Sequence, residues 1–93
     1  MIESFRHKGL KRLYETGDGR GVPEKLVERL KMVLSALDVA ENLDELRSVP
    51  GWRLHSLKGR LKNFWSISVS GNWRIIFRFD NGRVLDVDLV DYH

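Results

Sequence analysis

Residues 65–90, WSISVSGNWRIIFRFDNGRVLDVDLV, decide the fold of this chain. Apolar and polar side chains alternate in three segments of this stretch, as in strands that bury one face. Gly71-Asn72 separates the first two segments, and Asn81-Gly82, a strong signal for a two-residue hairpin turn, separates the last two. The pattern predicts an antiparallel sheet with strands over residues 65–70, 73–80 and 85–90.

The same alternation predicts which side chains of the sheet face the core. The large aromatic residues at inward positions are expected to contribute most to that core, and they are Trp65, Trp73, Phe77 and Phe79. In the last strand, the predicted inward residues are Leu85, Val87 and Leu89.

The first half of the chain has the three- and four-residue apolar spacing of helices. A helix is predicted over residues 23–39, because Pro23 suits a first helical turn and leucines and valines follow it at that spacing. A shorter helix is predicted over residues 8–14, and Asn42 is expected to cap a further helical turn.

Two short segments complete the predicted sheet. Residues 52–55 follow the Pro50-Gly51 turn and are expected to form a short strand, and Phe5 is expected in an edge strand. Helices followed by antiparallel strands define the α+β class. We therefore predict a small twisted antiparallel sheet of three or four strands, with the N-terminal helices packed on one face.

Length and composition narrow the functional classes. A chain of 93 residues is long enough for one hydrophobic core, and we expect a single domain over residues 1–93. Its apolar runs are far shorter than the roughly 20 residues of a membrane-spanning helix, and its N-terminus lacks the apolar stretch of a secretory signal. We expect a cytoplasmic protein without membrane association.

Cysteine is absent and histidines number three, so no disulfide, thiolate chemistry, metal site or cofactor is predicted.

Basic residues are concentrated after the Pro50-Gly51 turn. The net charge is +3, and residues 53–62 contain no acidic residue. The cations of this segment are Arg53, Lys58, Arg60 and Lys62. Such a cluster favours a polyanionic partner, because each cation placed at a phosphate releases condensed counterions. A solvated surface without a partner is the alternative interpretation.

Two histidines and two cations outside the predicted core have the chemistry that RNA cleavage requires. Histidine exchanges a proton near neutral pH, and Lys or Arg stabilises charge that develops on a phosphate. The set is His55, Lys58, Arg74 and His93. One group would remove the proton of the RNA 2′-hydroxyl, another would protonate the leaving 5′ oxygen, and the cations would hold the phosphate without a metal ion. Spacing alone does not show that these side chains converge.

Two arginines project from the polar side of the second predicted strand, Arg74 and Arg78. Neighbouring cations on one face repel each other unless an anion or a carboxylate lies between them. For Arg78, a salt bridge to Asp86 or Asp88 on the adjacent strand is the favoured interpretation. Arg74 follows a turn closely and is better placed to reach a ligand.

Five blocks of the sequence carry a further signal. They are residues 2–10, IESFRHKGL; 54–59, LHSLKG; 65–69, WSISV; 72–75, NWRI; and 91–93, DYH. In order and spacing, this set resembles the HigB-type toxins, also called plasmid-maintenance killer proteins, of the RelE/ParE superfamily. The resemblance implies a RelE-like fold, in agreement with the α+β prediction.

The resemblance also implies a function and partners. HigB-type toxins are ribosome-dependent endoribonucleases that cut messenger RNA in the ribosomal A site and arrest translation. A cognate HigA-type antitoxin, a helix-turn-helix protein, would neutralise the toxin. The complex would bind operator DNA mainly through the antitoxin.

The family's catalytic positions fall on residues that the blocks contain, namely His55, Lys58, Arg74, Asp91, Tyr92 and His93. The resemblance implies His93 as the main proton-transfer group, with His55 as its partner or as a phosphate ligand. Lys58 and Arg74 would be transition-state cations, Asp91 would orient a histidine or the RNA, and Tyr92 would stack on or hydrogen-bond to a base. Further RNA contacts are expected from Arg53, Arg60, Lys62 and Arg78.

Three alternatives remain open at this point. A ParE-like toxin would inhibit DNA gyrase by binding alone, and would have no need of histidines beside cations. A simple basic nucleic-acid-binding domain would lose affinity gradually as cations are removed, whereas an active site would lose turnover with nearly intact binding. A degenerate toxin kept as a regulatory partner would differ from an active one only in an activity or growth assay.

Overall fold

The computed structural model describes residues 1–92. Its helices are α1 (Lys8–Thr16), α2 (Val27–Val39) and α3 (Leu43–Arg47). Its strands are β1 (His55–Ser56), β2 (Phe64–Ser70), β3 (Trp73–Asp80) and β4 (Arg83–Asp91). Short 3₁₀ turns occupy Glu24–Leu26, directly before α2, and Gly59–Leu61, between β1 and β2.

The strands form one antiparallel sheet in the order β1-β2-β3-β4. The N-terminal segment runs parallel to β4 along the far edge, where isolated bridges join Ile2 to Val84 and Phe5 to Val87. These contacts confirm the expected edge position of Phe5. The α+β class and the antiparallel sheet with helices are confirmed as predicted.

The core lies between the helices and one face of the sheet. Helical leucines such as Leu10, Leu30 and Leu37 are fully buried there against Ile75 and Phe77. Burial of each such side chain stabilises the fold by about 1.5–3 kcal/mol. Of the aromatic residues predicted for the core, Phe77 is fully buried, whereas Trp65, Trp73 and Phe79 are half-buried and pack against its edge.

Local signals explain where the helices begin and end. His7 caps α1, because its Nδ1 accepts a hydrogen bond from the backbone N–H of Leu10 at 3.1 Å, and Gly17 ends that helix with φ 79°. Asn42 caps α3 as predicted, accepting from the N–H of Glu45. Within residues 1–92, none of the helices has the length and apolar character needed to span a membrane.

The first strand is shorter than predicted and lies later in the chain. A strand was expected over residues 52–55, but β1 contains only His55 and Ser56. Arg53 has φ 49°, a left-handed backbone conformation that interrupts regular extended pairing. The strand therefore begins only after this residue.

A β-bulge in β4 changes which side chains face the core. Arg78 lies opposite Leu85, and Ile76 lies opposite Asp88, so β4 has one extra residue between these pairs. Asp86 has φ 53° at this point. The prediction that Leu85 faces the core is therefore wrong: Val84 is fully buried in its place, and Leu85 lies on the opposite face with Arg78.

Candidate functional site

The face of the sheet turned away from the helices carries most of the candidate residues, and we call it the outer face. Strand register places there His55 of β1, Phe64, Ser66 and Ser68 of β2, Arg74, Ile76 and Arg78 of β3, and Asp88 and Val90 of β4. Phe64 and Ile76 are buried, yet neither belongs to the core cluster between helices and sheet. The outer face therefore combines a small apolar centre with polar and charged side chains.

His55 is held in one ring orientation at the edge of the outer face. Its Nδ1 lies 2.9 Å from the carbonyl oxygen of Arg53. A carbonyl only accepts hydrogen bonds, so Nδ1 carries the proton in this contact. The left-handed conformation of Arg53 places that carbonyl beside the ring. In the neutral ring, Nε2 is then the lone-pair nitrogen, able to accept a proton.

Arg74 lies on the same face, two strands away from His55. Its Nη1 donates to the carbonyl oxygens of Gly71, at 2.6 Å, and Trp73, at 3.0 Å. Within residues 1–92 the contacts of this guanidinium are to main-chain carbonyls rather than to a carboxylate. Its positive charge is therefore oriented by the β2–β3 turn, and no carboxylate of residues 1–92 forms an ion pair with it.

Asp91 and Tyr92 lie at the same end of the sheet. Asp91 is opposite Trp73 at the end of β4, and the backbone N–H of Tyr92 donates to the carbonyl of Asn72 at 2.8 Å. The Gly71-Asn72 turn thus holds both the guanidinium of Arg74 and the chain at Tyr92. The Tyr92 side chain is exposed, as a ring that stacks on a base must be.

The remaining basic residues follow His55 along the connection from β1 to β2. Lys58 directly precedes the Gly59–Leu61 turn, and Arg60 and Lys62 lie within and just after it. All three are exposed. Among residues 1–92, no carboxylate oxygen lies within 4.0 Å of their charged groups or of the Arg53 guanidinium.

Arg78 differs from the other cations of the outer face. It is four residues beyond Arg74 on β3, about 13 Å along the strand, and its Nε lies 2.8 Å from Asp86 Oδ2. The predicted salt bridge of Arg78 is thereby confirmed. Its additional role as an RNA contact stays a prediction.

The candidate residues therefore form two groups. Arg74 and Tyr92 contact the Gly71-Asn72 turn, whereas Asp91 lies at the same end of the sheet but opposite Trp73, on the face turned towards the helices. His55 and Lys58 lie two strands across, about 10 Å away between strands. A phosphodiester placed between the groups would contact a proton acceptor on one side and a guanidinium on the other. The predicted catalytic residue His93 lies outside the described residues.

Among residues 1–92, the perturbed pKa values belong to the helical layer and the loop after α1. A bidentate hydrogen bond from Arg20 lowers the pKa of Asp18 to about 2. The hydrogen bond donated by Tyr14 to Asp38 at 2.7 Å lowers the pKa of Asp38 and raises that of Tyr14. Both contacts fix loops and helices around the core. Within residues 1–92, no three His, Cys, Asp or Glu side chains come together in an arrangement that could hold a metal ion.

Sequence reasoning missed one contact on the outer face. Arg6, in the N-terminal edge segment, places its guanidinium carbon 4.9 Å from the centroid of the Phe64 ring on β2. The basic character of residues 6–12 was visible in the sequence, but nothing local to them indicated a partner on β2. Only the pairing of the first residues with β4 brings Arg6 to this face.

An α+β chain with cations and a histidine on the exposed sheet face fits the class of small RelE-fold toxins, and sequence comparison agrees. Residues 3–93 match the HigB-like toxin family, described as the RelE-like toxin of type II toxin–antitoxin system HigB. The chain belongs to this family. The prediction of a HigB-type endoribonuclease toxin is confirmed at the level of the family.

Individual relatives extend over the whole chain. Endoribonuclease HigB of Proteus vulgaris is 47% identical over 94 residues, which cover 100% of both proteins. Toxin HigB-1 of Vibrio cholerae is 34% identical over 90 residues, 96% of this chain and 95% of that protein.

Solved structures share the fold at much lower identity. A YafQ mutant from E. coli superposes with a TM-score of 0.65 and 17% identity over 98% of this chain and 91% of its own. The YoeB–YefM toxin–antitoxin complex from Staphylococcus aureus gives a TM-score of 0.61 at 17% identity, with 100% and 95% coverage. At this identity the likeness concerns the fold alone.

Proposed function

We propose that this HigB-type toxin is a ribosome-dependent endoribonuclease that cleaves messenger RNA in the A site and so arrests translation. The observation that carries the proposal is the orientation of His55 on the face that also presents Arg74. The Nδ1–H of His55 is bonded to the carbonyl of Arg53, which leaves Nε2 for proton transfer. The 47% identity to a protein named Endoribonuclease HigB supports the same activity.

In the proposed reaction, the RNA supplies its own nucleophile. A base removes the proton of the 2′-hydroxyl, the 2′ oxygen attacks the adjacent phosphorus, and the bond from phosphorus to the 5′ oxygen breaks. An acid protonates that oxygen, so the products are a 2′,3′-cyclic phosphate and a free 5′-hydroxyl. His55 and His93 share the two proton transfers, and either of them can be the base.

The cations act on the charge that develops at the phosphate. The Arg74 guanidinium is held by two carbonyls through Nη1, and among residues 1–92 its Nε and Nη2 hydrogens have no acceptor, so they can donate to phosphate oxygens. Lys58 follows His55 by three residues on the exposed connection and adds a second charge. Asp91 orients a histidine or the RNA, and Tyr92 supplies an exposed ring for a base.

The charge distribution supports a polyanionic substrate on the outer face. Ion pairs hold Arg12, Arg20, Lys31, Arg47, Arg78 and Arg83. Within the described part of the chain, ten of the 16 cations have no carboxylate oxygen within 4.0 Å. Five of these ten follow the Pro50-Gly51 turn, namely Arg53, Lys58, Arg60, Lys62 and Arg74. These are the residues that we propose as RNA contacts. The net charge of +3 is modest, so we expect the ribosome to supply much of the substrate positioning.

We also propose the partners. The family description places the chain in a type II toxin–antitoxin system, and the S. aureus neighbour was solved as a toxin–antitoxin complex. By analogy, a HigA-type helix-turn-helix antitoxin neutralises this toxin and carries the complex to operator DNA. The site of action is the cytoplasm, where the ribosomes are.

The proposal is tested by inducible expression of the wild type, His55→Ala and His93→Ala, with growth and transcript 5′ ends recorded together. We expect the wild type to arrest growth and cut translated messages, and the two variants to do neither while giving wild-type circular dichroism. Equal toxicity of all three chains would contradict catalysis. Intact transcripts with altered DNA supercoiling would favour the ParE-like alternative.

A further inference from the structure

The N-terminal segment places the cation Arg6 on the outer face, at the end of the sheet opposite Arg74. The backbone N–H of Arg6 donates to the carbonyl of Val87 at 2.8 Å, which fixes the segment beside β4. Phe5 packs against the core on the helical side and contacts the ring of Tyr14. Since successive side chains of an extended segment point to opposite faces, Arg6 points to the outer face.

Arg6 reaches across the sheet to an aromatic ring. Its guanidinium lies over Phe64, 4.9 Å from the ring centroid, within the range of a cation–π contact. Phe64 is only 5% exposed, whereas Arg6 itself is exposed. The guanidinium therefore lies between a buried ring and solvent, and no carboxylate within residues 1–92 comes within 4.0 Å of it.

Because Arg6 is exposed, its guanidinium is accessible to a base from the solvent side. Arginine planes and aromatic rings are the side chains on which unstacked RNA bases stack, and such contacts tolerate any base because every base has a π-face. Phe64 lies opposite Arg78, and Arg78 is four residues along β3 from Arg74. The two positions are therefore about 13 Å apart along the sheet. An RNA chain that is bound at Arg74 and continues over the outer face reaches Arg6 at a nucleotide beyond the cleaved phosphate.

We propose that Arg6, supported by Phe64, is a base-stacking subsite for an RNA nucleotide away from the cleavage point. This inference rests on the proposed ribonuclease function and adds a substrate contact to it. Arg6 does not touch the reacting phosphate in this arrangement. Arg6 contributes by binding the RNA chain, so it affects substrate binding and not the chemical step.

The matched control is a second arginine–aromatic pair on the other side of the sheet. The guanidinium of Arg47, on α3, lies 6.0 Å from the Trp65 ring, which packs against the core. The variants are Arg6→Met, Arg6→Lys and Arg47→Met. Methionine keeps an apolar chain over the ring but has neither the charge nor the planar guanidinium group. Lysine keeps the charge but lacks the planar group.

Two measurements use the full-length chain. The first is cleavage of a translated message by purified ribosomes and toxin, with kcat and KM determined separately. The second is the Kd of a single-stranded 2′-O-methyl RNA, which cannot be cleaved because its 2′ oxygen has no proton to lose. For Arg6→Met we expect about a tenfold rise in KM and Kd, the effect of losing one stacking contact, with kcat unchanged. Arg6→Lys recovers only part of this loss, and Arg47→Met behaves as the wild type.

The outcomes separate this inference from the proposed function. If the wild type cleaves messages and Arg6→Met has the same KM and Kd, the subsite is wrong and the nuclease stands. Full recovery by Arg6→Lys would replace stacking with a simple charge contact and also overturn the inference. If the wild type neither cleaves nor binds RNA, the nuclease function and the subsite both fail.

Discussion

Arg78 on β3 donates a 2.8 Å hydrogen bond through Nε to Asp86 Oδ2 at the bulge of β4. Asp86 is also held by Ser4, whose hydroxyl accepts from the Asp86 backbone N–H at 2.8 Å. The same hydroxyl donates to Asp86 Oδ1 at 3.4 Å, so the carboxylate is held between Ser4 and Arg78 and partly neutralises the arginine. Arg74, on the same strand and face, is bonded only to carbonyls among the described residues. Two arginines of equal chemistry are therefore expected to contribute unequally to catalysis.

Arg74→Ala is expected to lower kcat for messenger RNA cleavage by about 100-fold or more, the usual effect of removing one donor to transition-state charge. Arg78→Ala should change kcat by less than about threefold, because the charge it removes is already paired. Both are measured with ribosomes programmed by one message. Equal losses in the two variants would contradict the distinction, and thermal unfolding of each variant controls for folding.

His55→Ala is expected to reduce kcat by about 10²- to 10⁴-fold, the range for loss of a positioned proton-transfer group. Binding of uncleavable RNA should stay within about twofold of the wild type, because a proton-transfer group acts on the chemical step and not on ground-state binding. His7→Ala is the histidine control, since His7 caps α1 and should affect stability without affecting kcat at temperatures where the variant is folded. Parallel losses of kcat and RNA affinity in His55→Ala would favour a simple binding role.

Tyr14→Phe should destabilise the fold by about 1 kcal/mol, because it removes a hydrogen bond to the Asp38 carboxylate. The hydrogen bond lowers the pKa of Asp38 below 3.8 and raises that of Tyr14 above 10.0. The Asp38 contribution is therefore present above pH 3.8 and lost as pH falls through its folded pKa. The Tyr14 contribution is present below pH 10.0 and lost as pH rises through its folded pKa.

Urea unfolding of the wild type and Tyr14→Phe across the pH range checks this expectation. The difference in unfolding free energy should be largest between about pH 4 and pH 10 and should shrink outside that window. A difference that does not vary with pH would show that the lost free energy does not come from the hydrogen bond to the Asp38 carboxylate.

Gly9→Ala should destabilise the protein by about 1–3 kcal/mol, although alanine normally favours a helix over glycine. A Cβ at position 9 would lie 2.6 Å from the carbonyl carbon of Gly21, so helix α1 and the loop before α2 would have to separate. Gly17→Ala meets no atom within 4 Å and is strained only by φ 79°, at a cost of about 1–2 kcal/mol. A higher melting temperature for Gly9→Ala would mean that helix propensity outweighs the contact.

Much of the fold was predictable because its signals are local. Alternation and Asn-Gly chemistry located β2, β3 and the turn between β3 and β4, and Asn42 marked the start of α3. The errors occurred where a single backbone angle departs from the extended form. Arg53 and Asp86 have positive φ without being glycine, and no residue type at those positions indicated it.

The sequence by itself determined the helices, the three long strands and the available histidines and cations, because periodicity and turn chemistry depend on neighbouring residues. Tertiary structure alone decided which of them share a face. Whether Arg78 meets Asp86 depends on the bulge in β4, and whether Arg6 meets Phe64 depends on the pairing of the first residues with β4. Strand register is set by packing between segments distant in the chain, and a shift of one residue moves a side chain to the other face.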